Sequence, residues 1–159
     1  NKKLLKAFKN NPNFVLAYYG SGSETLKAYC AQQGIDNVLF RGRFSQGETL
    51  NQYKNVAVIN NVYGNNSPYL DFALSNKLYH AAQLRIPILV SPGTFMEKVT
   101  ERYGIGYAFD ISDPKEPFGL LSWLDSIDRK QFEESCDRFL DQVEKEMQSY
   151  TEFIKRFSE

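Results

Sequence analysis

Five short apolar runs, each separated from the next by a helix-length segment, constrain this chain more than any other feature. They are Phe14 to Tyr19, Asn37 to Phe44, Val56 to Val62, Ile86 to Val90 and Gly106 to Phe109. Strands alternating with helices read as βαβ units. The runs are continuously apolar, as expected for parallel strands with helices on both faces. The predicted fold class is α/β, a Rossmann-like three-layer sandwich with one parallel sheet.

Helix signals fill the intervals. Leu4, Leu5, Ala7 and Phe8 have helical spacing, stopped by Asn10-Asn11-Pro12-Asn13. Glu24 to Gln33 is predicted helical, with Gly34 as its stop. Ser45 to Lys54 is a further predicted helix, with Ser45 and Glu48 as a capping box. The polar stretch GNNSPYLD is read as a loop before the helix in ALSNKLYHAAQL, and another helix is expected from Phe95 to Tyr103.

The C-terminal end follows another pattern. Cys136, Leu140, Val143, Met147, Tyr150, Ile154 and Phe157 recur at alternating steps of four and three, a heptad seam on a long helix. The expected division is a Rossmann-like domain over 1–128 and a helix over 129–159. That helix packs on its own domain, or its seam meets another domain or a second chain. The opening Asn1-Lys2-Lys3-Leu4-Leu5 is already helical in pattern and lacks a methionine, so the expectation is a piece of a longer chain.

Composition removes several function classes. Lys plus Arg and Asp plus Glu both number 19, giving no electrostatic reason to expect a nucleic-acid partner. Cys30 and Cys136 lie in helical stretches without metal-ligand spacing and read as reduced, buried thiols, with no metal expected. No apolar run approaches the ~20 residues that span a bilayer.

In open α/β sheets, ligands bind beyond the carboxyl ends of the strands. Those loops here are Gly20–Glu24, Arg41–Ser45, Tyr63–Asp71 and Ser91–Thr94. GSGSE is not GxGxxG, no Walker A lysine follows a glycine, and no GxSxG elbow occurs. Ser75 can cap the next helix, which leaves Asn76, Lys77 and Leu78 in its first turn. The helix dipole alone disfavours a lysine there, whereas an anion would join the amides, the dipole and the ammonium. The plainer alternative is that Lys77 extends from the domain surface to water. His80, one turn on, is either a ligand residue or a structural one.

LSNKLYHAAQLRIPILVS resembles the nucleotide-sugar segment of retaining GT-B glycosyltransferases of the family 4 type. Leu74, Asn76, Lys77, Leu78 and Pro87 carry the match, with Tyr79 in place of a phenylalanine. FVLAYYGSGSE is similar to the family's first strand and glycine turn, and NVLFRGRFSQGETLNQYKNVAVI to its next strand, helix and strand. The resemblance spans about residues 2–112 and implies a donor-binding C-terminal domain, cytoplasmic or at the inner membrane face. The donor would be a nucleotide sugar, with a UDP-sugar favoured, and no other cofactor is implied. A saccharide or lipid-linked acceptor would be met through an N-terminal domain, in surface polysaccharide synthesis. Gly42, Arg43 and Phe44 would frame the base, with Gly20 and Gly22 forming the nearby glycine turn. Ser75, Asn76 and Lys77 would hold the diphosphate. Tyr63, Asp71 and His80 would face the ribose or sugar, although His80 and Phe72 stand where the family carries acidic residues. That departure favours the alternative, a non-catalytic Rossmann-like interaction module derived from such an enzyme. No residue is identified as catalytic.

Overall fold

A computed structural model describes residues 2–156. The chain is mixed α/β and forms two compact units, each built from two stretches of sequence. One comprises Asn1–Val56 and Phe109–Ser126, the other Ala57–Ala108 and Ile127–Glu159.

The first unit holds α1 (Lys2–Ala7), β1 (Leu16–Tyr18), α2 (Glu24–Gln33), β2 (Val38–Phe40), α3 (Thr49–Tyr53) and α7 (Glu116–Ser126). β1 and β2 are parallel, with Leu16 opposite Val38 and Tyr18 opposite Phe40. These four side chains pack on buried Leu5, Cys30 and Ile35. Gly34 closes α2 in the left-handed conformation, as its position in the sequence predicts. Asn37 fastens the turn after α1, its side-chain amide donating to the carbonyls of Phe8 (2.8 Å) and Phe14 (2.9 Å). Phe8 is buried there, edge-on to Phe14 at 5.0 Å and stacked on Phe109 at 5.1 Å.

The second unit holds β3 (Ile59–Asn61), α4 (Pro68–Phe72), α5 (Asn76–Leu84), β4 (Ile88–Val90), α6 (Phe95–Tyr103), β5 (Gly106–Ala108) and α8 (Arg129–Arg156). Its sheet is parallel in the order β3-β4-β5. β4 is buried along its whole length and lies against α5 and α6. The N-terminal half of α8 buries Phe132, Ser135, Cys136 and Phe139, and packs on α5 and α6. Phe139 meets Tyr79 at 5.8 Å and Tyr103 at 5.3 Å. Arg85, left-handed at the C-terminus of α5, pairs with Asp137 of α8.

Four features differ from the sequence reading. The described strands form two parallel sheets where one is expected. Their ladders stop after three residues, and Gly20, Gly42 and Gly64 turn the backbone to positive φ soon after β1, β2 and β3. Helices do not cover both faces of the first sheet, because Val15, Ala17 and Leu39 are exposed on the face opposite the Cys30 core. An apolar run therefore overstated two-sided burial.

The helix expected over Ser45 to Lys54 is a 3₁₀ turn, Gln46–Glu48, followed by the short α3. Glu48 accepts both the Ser45 backbone N–H and its hydroxyl, each at 2.8 Å. The Glu48 amide donates to the Ser45 carbonyl at 3.0 Å and not to the hydroxyl, so only the carboxylate side of the capping box forms. The Ser45 backbone bond, then the hydroxyl, holds the Glu48 carboxyl below its ordinary pKa. Finally, α4 begins inside the stretch read as loop and runs one residue beyond it. Ser67 caps it, its hydroxyl accepting from the Leu70 amide, and Pro68 occupies the first turn, an N-terminal signal the loop reading passed over.

Both cysteines are buried free thiols. Burial pushes the Cys136 thiol up to about 11, opposed in part by the Arg85 charge, and burial also raises Cys30. Neither thiol is expected to react with an alkylating reagent at pH 8 until the chain is unfolded. The folded state favours the neutral Cys136 thiol, so its contribution to stability is intact below the ordinary thiol pKa of 9.0 and is lost as pH rises toward about 11. The urea midpoint should fall across that window, and a Cys136→Ser variant should show a shallower fall, the remainder coming from Cys30 and from Tyr18, whose hydroxyl burial pushes up to about 12.

Candidate functional site

The expected site residues fall into two groups, one in each unit. In the first unit the loops after β1 and β2 are joined, with the Gly20 amide donating to the Gly42 carbonyl at 2.7 Å. Gly20, Gly22 and Gly42 all have positive φ, which lets the backbone turn sharply without a side chain in the way. Arg43 is exposed. Phe44 is partly exposed and meets Tyr19 edge to face at 6.3 Å, forming an aromatic pair beyond the strand ends. The glycine turn and the expected base-binding segment therefore lie side by side.

In the second unit the group gathers at the carboxyl end of β3. Ser75 has extended backbone and caps α5, its hydroxyl accepting from the Lys77 amide at 3.3 Å, while its carbonyl accepts from the Leu78 amide at 2.9 Å. Asn76 is exposed on the first turn. Lys77 is half-buried and does not extend to water from the surface. Its Nζ donates to the Asn60 carbonyl at 2.8 Å and the Tyr63 hydroxyl at 2.7 Å, and lies 5.1 Å from the Tyr63 ring centre. Among the described residues no carboxylate pairs with it. An ammonium has three N–H donors, so two fixed neutral partners leave one for a ligand.

Of the other expected residues, only Tyr63 touches this cation. Tyr63 is 57% exposed and presents its ring. Asp71 is turned to its own loop, accepting from the Asn66 amide at 2.9 Å. Phe72 is 75% exposed. His80 is half-buried one turn further along α5.

Sequence reasoning passed over three supporting residues. Asn60 supplies the carbonyl that anchors Lys77. Buried Ser91 accepts from the Gly64 amide at 2.8 Å, and Asn65 donates to the Pro92 carbonyl at 2.8 Å, which ties the loops after β3 and β4 together. Ser91 and Asn65 were marked only by lying in loops beyond the strand ends, where their types signal turns as readily as sites, and Asn60, inside β3, carried no such mark. No group of His, Cys, Asp and Glu among the described residues is placed to hold a metal ion. No helix among them is long and apolar enough to cross a membrane.

The chain matches no family model, no curated protein and no solved structure.

Proposed function

We propose that this chain is the nucleotide-sugar-binding part of a GT-B type glycosyltransferase, with its strands and helices forming a Rossmann-like donor domain. The observation that carries this reading is Lys77. It is a half-buried cation with no ion-pair partner among the described residues, held beside the N-terminus of α5 by Asn60 and Tyr63. A diphosphate supplies the missing negative charge, and the helix end and the remaining ammonium N–H favour it together. Tyr63 presents its exposed ring to the sugar or ribose.

In this reading the chain's contribution to transfer is electrostatic. Charge builds on the departing diphosphate, and a preorganised cation and helix N-terminus stabilise it. The acceptor, a saccharide or a lipid-linked one, is met by another domain, and the work is done at the cytoplasmic side.

A second reading, an interaction module without a donor site, is favoured by the open aromatic face of α4, where Tyr69 and Phe72 are both exposed. Calorimetric titration of UDP and UDP-sugars into the chain separates the two. Saturable binding that is weakened by salt is expected. No heat at millimolar nucleotide would leave the interaction module as the better reading.

A further inference from the structure

α8 is 28 residues long, about 42 Å at the helical rise, yet its buried residues end at Phe139. Beyond them the seam emerges from its own unit. Val143 is partly buried, whereas Met147 is 59%, Tyr150 62% and Ile154 44% exposed. The last seam residue, Phe157, lies outside the described residues. The hydrogen bonds of the Gln142, Gln148, Ser149 and Thr151 side chains all stay within the helix. Apolar residues at a strict four-three spacing on an open helix face suit a second helix of matching spacing.

Charge indicates which helix fits. Glu144 and Glu146 border the seam at the start of the open segment, and Lys155 and Arg156, near its end, stand further round the helix. Lys145 and Glu152 lie on the face opposite the seam and do not enter. A parallel copy would set each acidic residue beside its own equivalent, and likewise each basic one. An antiparallel copy places Met147 opposite Tyr150 and Val143 opposite Ile154, and brings the acidic end of each helix to the basic end of the other. It also opposes the two helix dipoles favourably.

We propose that the distal half of α8, Val143 to Ile154, is a self-association surface on which a second copy of this chain docks antiparallel. This inference does not depend on the nucleotide reading. The paired seam is only ~16 Å long at the helical rise, so the dimer is a weak one.

The test is sedimentation equilibrium of the whole chain over a concentration series, with orientation read by disulfide trapping. The wild type is expected to go from one chain to two as concentration rises into the high micromolar range. Met147→Lys combined with Tyr150→Lys should stay monomeric with unchanged circular dichroism, since both positions are exposed. A mixture of Met147→Cys chains with Tyr150→Cys chains should give the mixed disulfide, and Met147→Cys alone should give little. A wild type that is monomeric at millimolar concentration would overturn the proposal, as would a dimer that survives the double lysine variant. Efficient self-crosslinking of Met147→Cys would overturn the antiparallel arrangement.

Discussion

Gly106→Ala is expected to destabilise the chain by about 3 kcal/mol, at the upper end of what one added methyl costs in a packed interior. Gly106 opens β5 opposite Ile88 of β4. A Cβ at Gly106 would lie 2.7 Å from the Ile88 carbonyl oxygen, and 2.8 Å and 2.9 Å from Cγ2 and Cβ of Thr100. None of these can yield cheaply. Ile88 sits in the central strand of its sheet, and Thr100 is buried, its hydroxyl donating to the Glu97 carbonyl at 3.0 Å. Relief would have to part β5 from β4 or lift α6. Gly104 is the control. It caps α6 at φ +69 with its nearest neighbour, Ser135 Oγ, 4.0 Å away, so alanine there meets only backbone strain of about 1 kcal/mol. Urea unfolding followed by circular dichroism should show the Gly106→Ala midpoint falling well below that of Gly104→Ala, with the slope unchanged. Equal midpoints would mean that the close packing of α6 on the β4–β5 pair is absent in solution.

What the sequence disclosed follows from which forces are local. The five strand positions were legible because each carries an apolar run, and every described strand lies inside its expected segment. Gly34 and Ser75 were legible as helix ends because the chemistry of a left-handed turn and of an amide cap resides in a single residue. Strand pairing was not legible, since nothing in an apolar run records its partner or how many faces it buries. The open face at Ala17 and Leu39 is the consequence. α7 also escaped: Glu116–Ser126 contains Gly119, a poor helix residue, carries Pro117 in its first turn, and forms around buried Pro117 and Leu120. At the candidate site, Ser75 and Lys77 could be placed on the first turn of α5 by spacing. That the Lys77 side chain folds back to Asn60 and Tyr63, 17 and 14 residues earlier, depends on the tertiary fold.

Lys77→Met should act on ligand binding and on stability by separable amounts. The variant keeps an unbranched apolar stem in a half-buried site and removes the ammonium. Loss of a charge-assisted contact to a diphosphate, worth roughly 1.5–3 kcal/mol, corresponds to UDP binding weakened about ten- to a hundred-fold. The same ammonium anchors the end of β3 to α5 through the Asn60 carbonyl and the Tyr63 hydroxyl. Stability should therefore fall as well, by about 1 kcal/mol, because the exposed Tyr63 hydroxyl regains water while the Asn60 carbonyl is served less well. Tyr63→Phe separates the two effects. It removes one anchor of Nζ and returns that N–H to the ammonium, with the charge intact. It should lower stability by less than Lys77→Met and leave UDP affinity within about threefold, a change below 1 kcal/mol. Calorimetric titration of UDP and urea unfolding of all three proteins check the set. If Lys77→Met binds UDP as tightly as the wild type while losing stability, the lysine is a structural clamp between β3 and α5 and not a phosphate ligand. If affinity falls and Tyr63→Phe retains it, the half-buried ammonium at the start of α5 is the diphosphate contact.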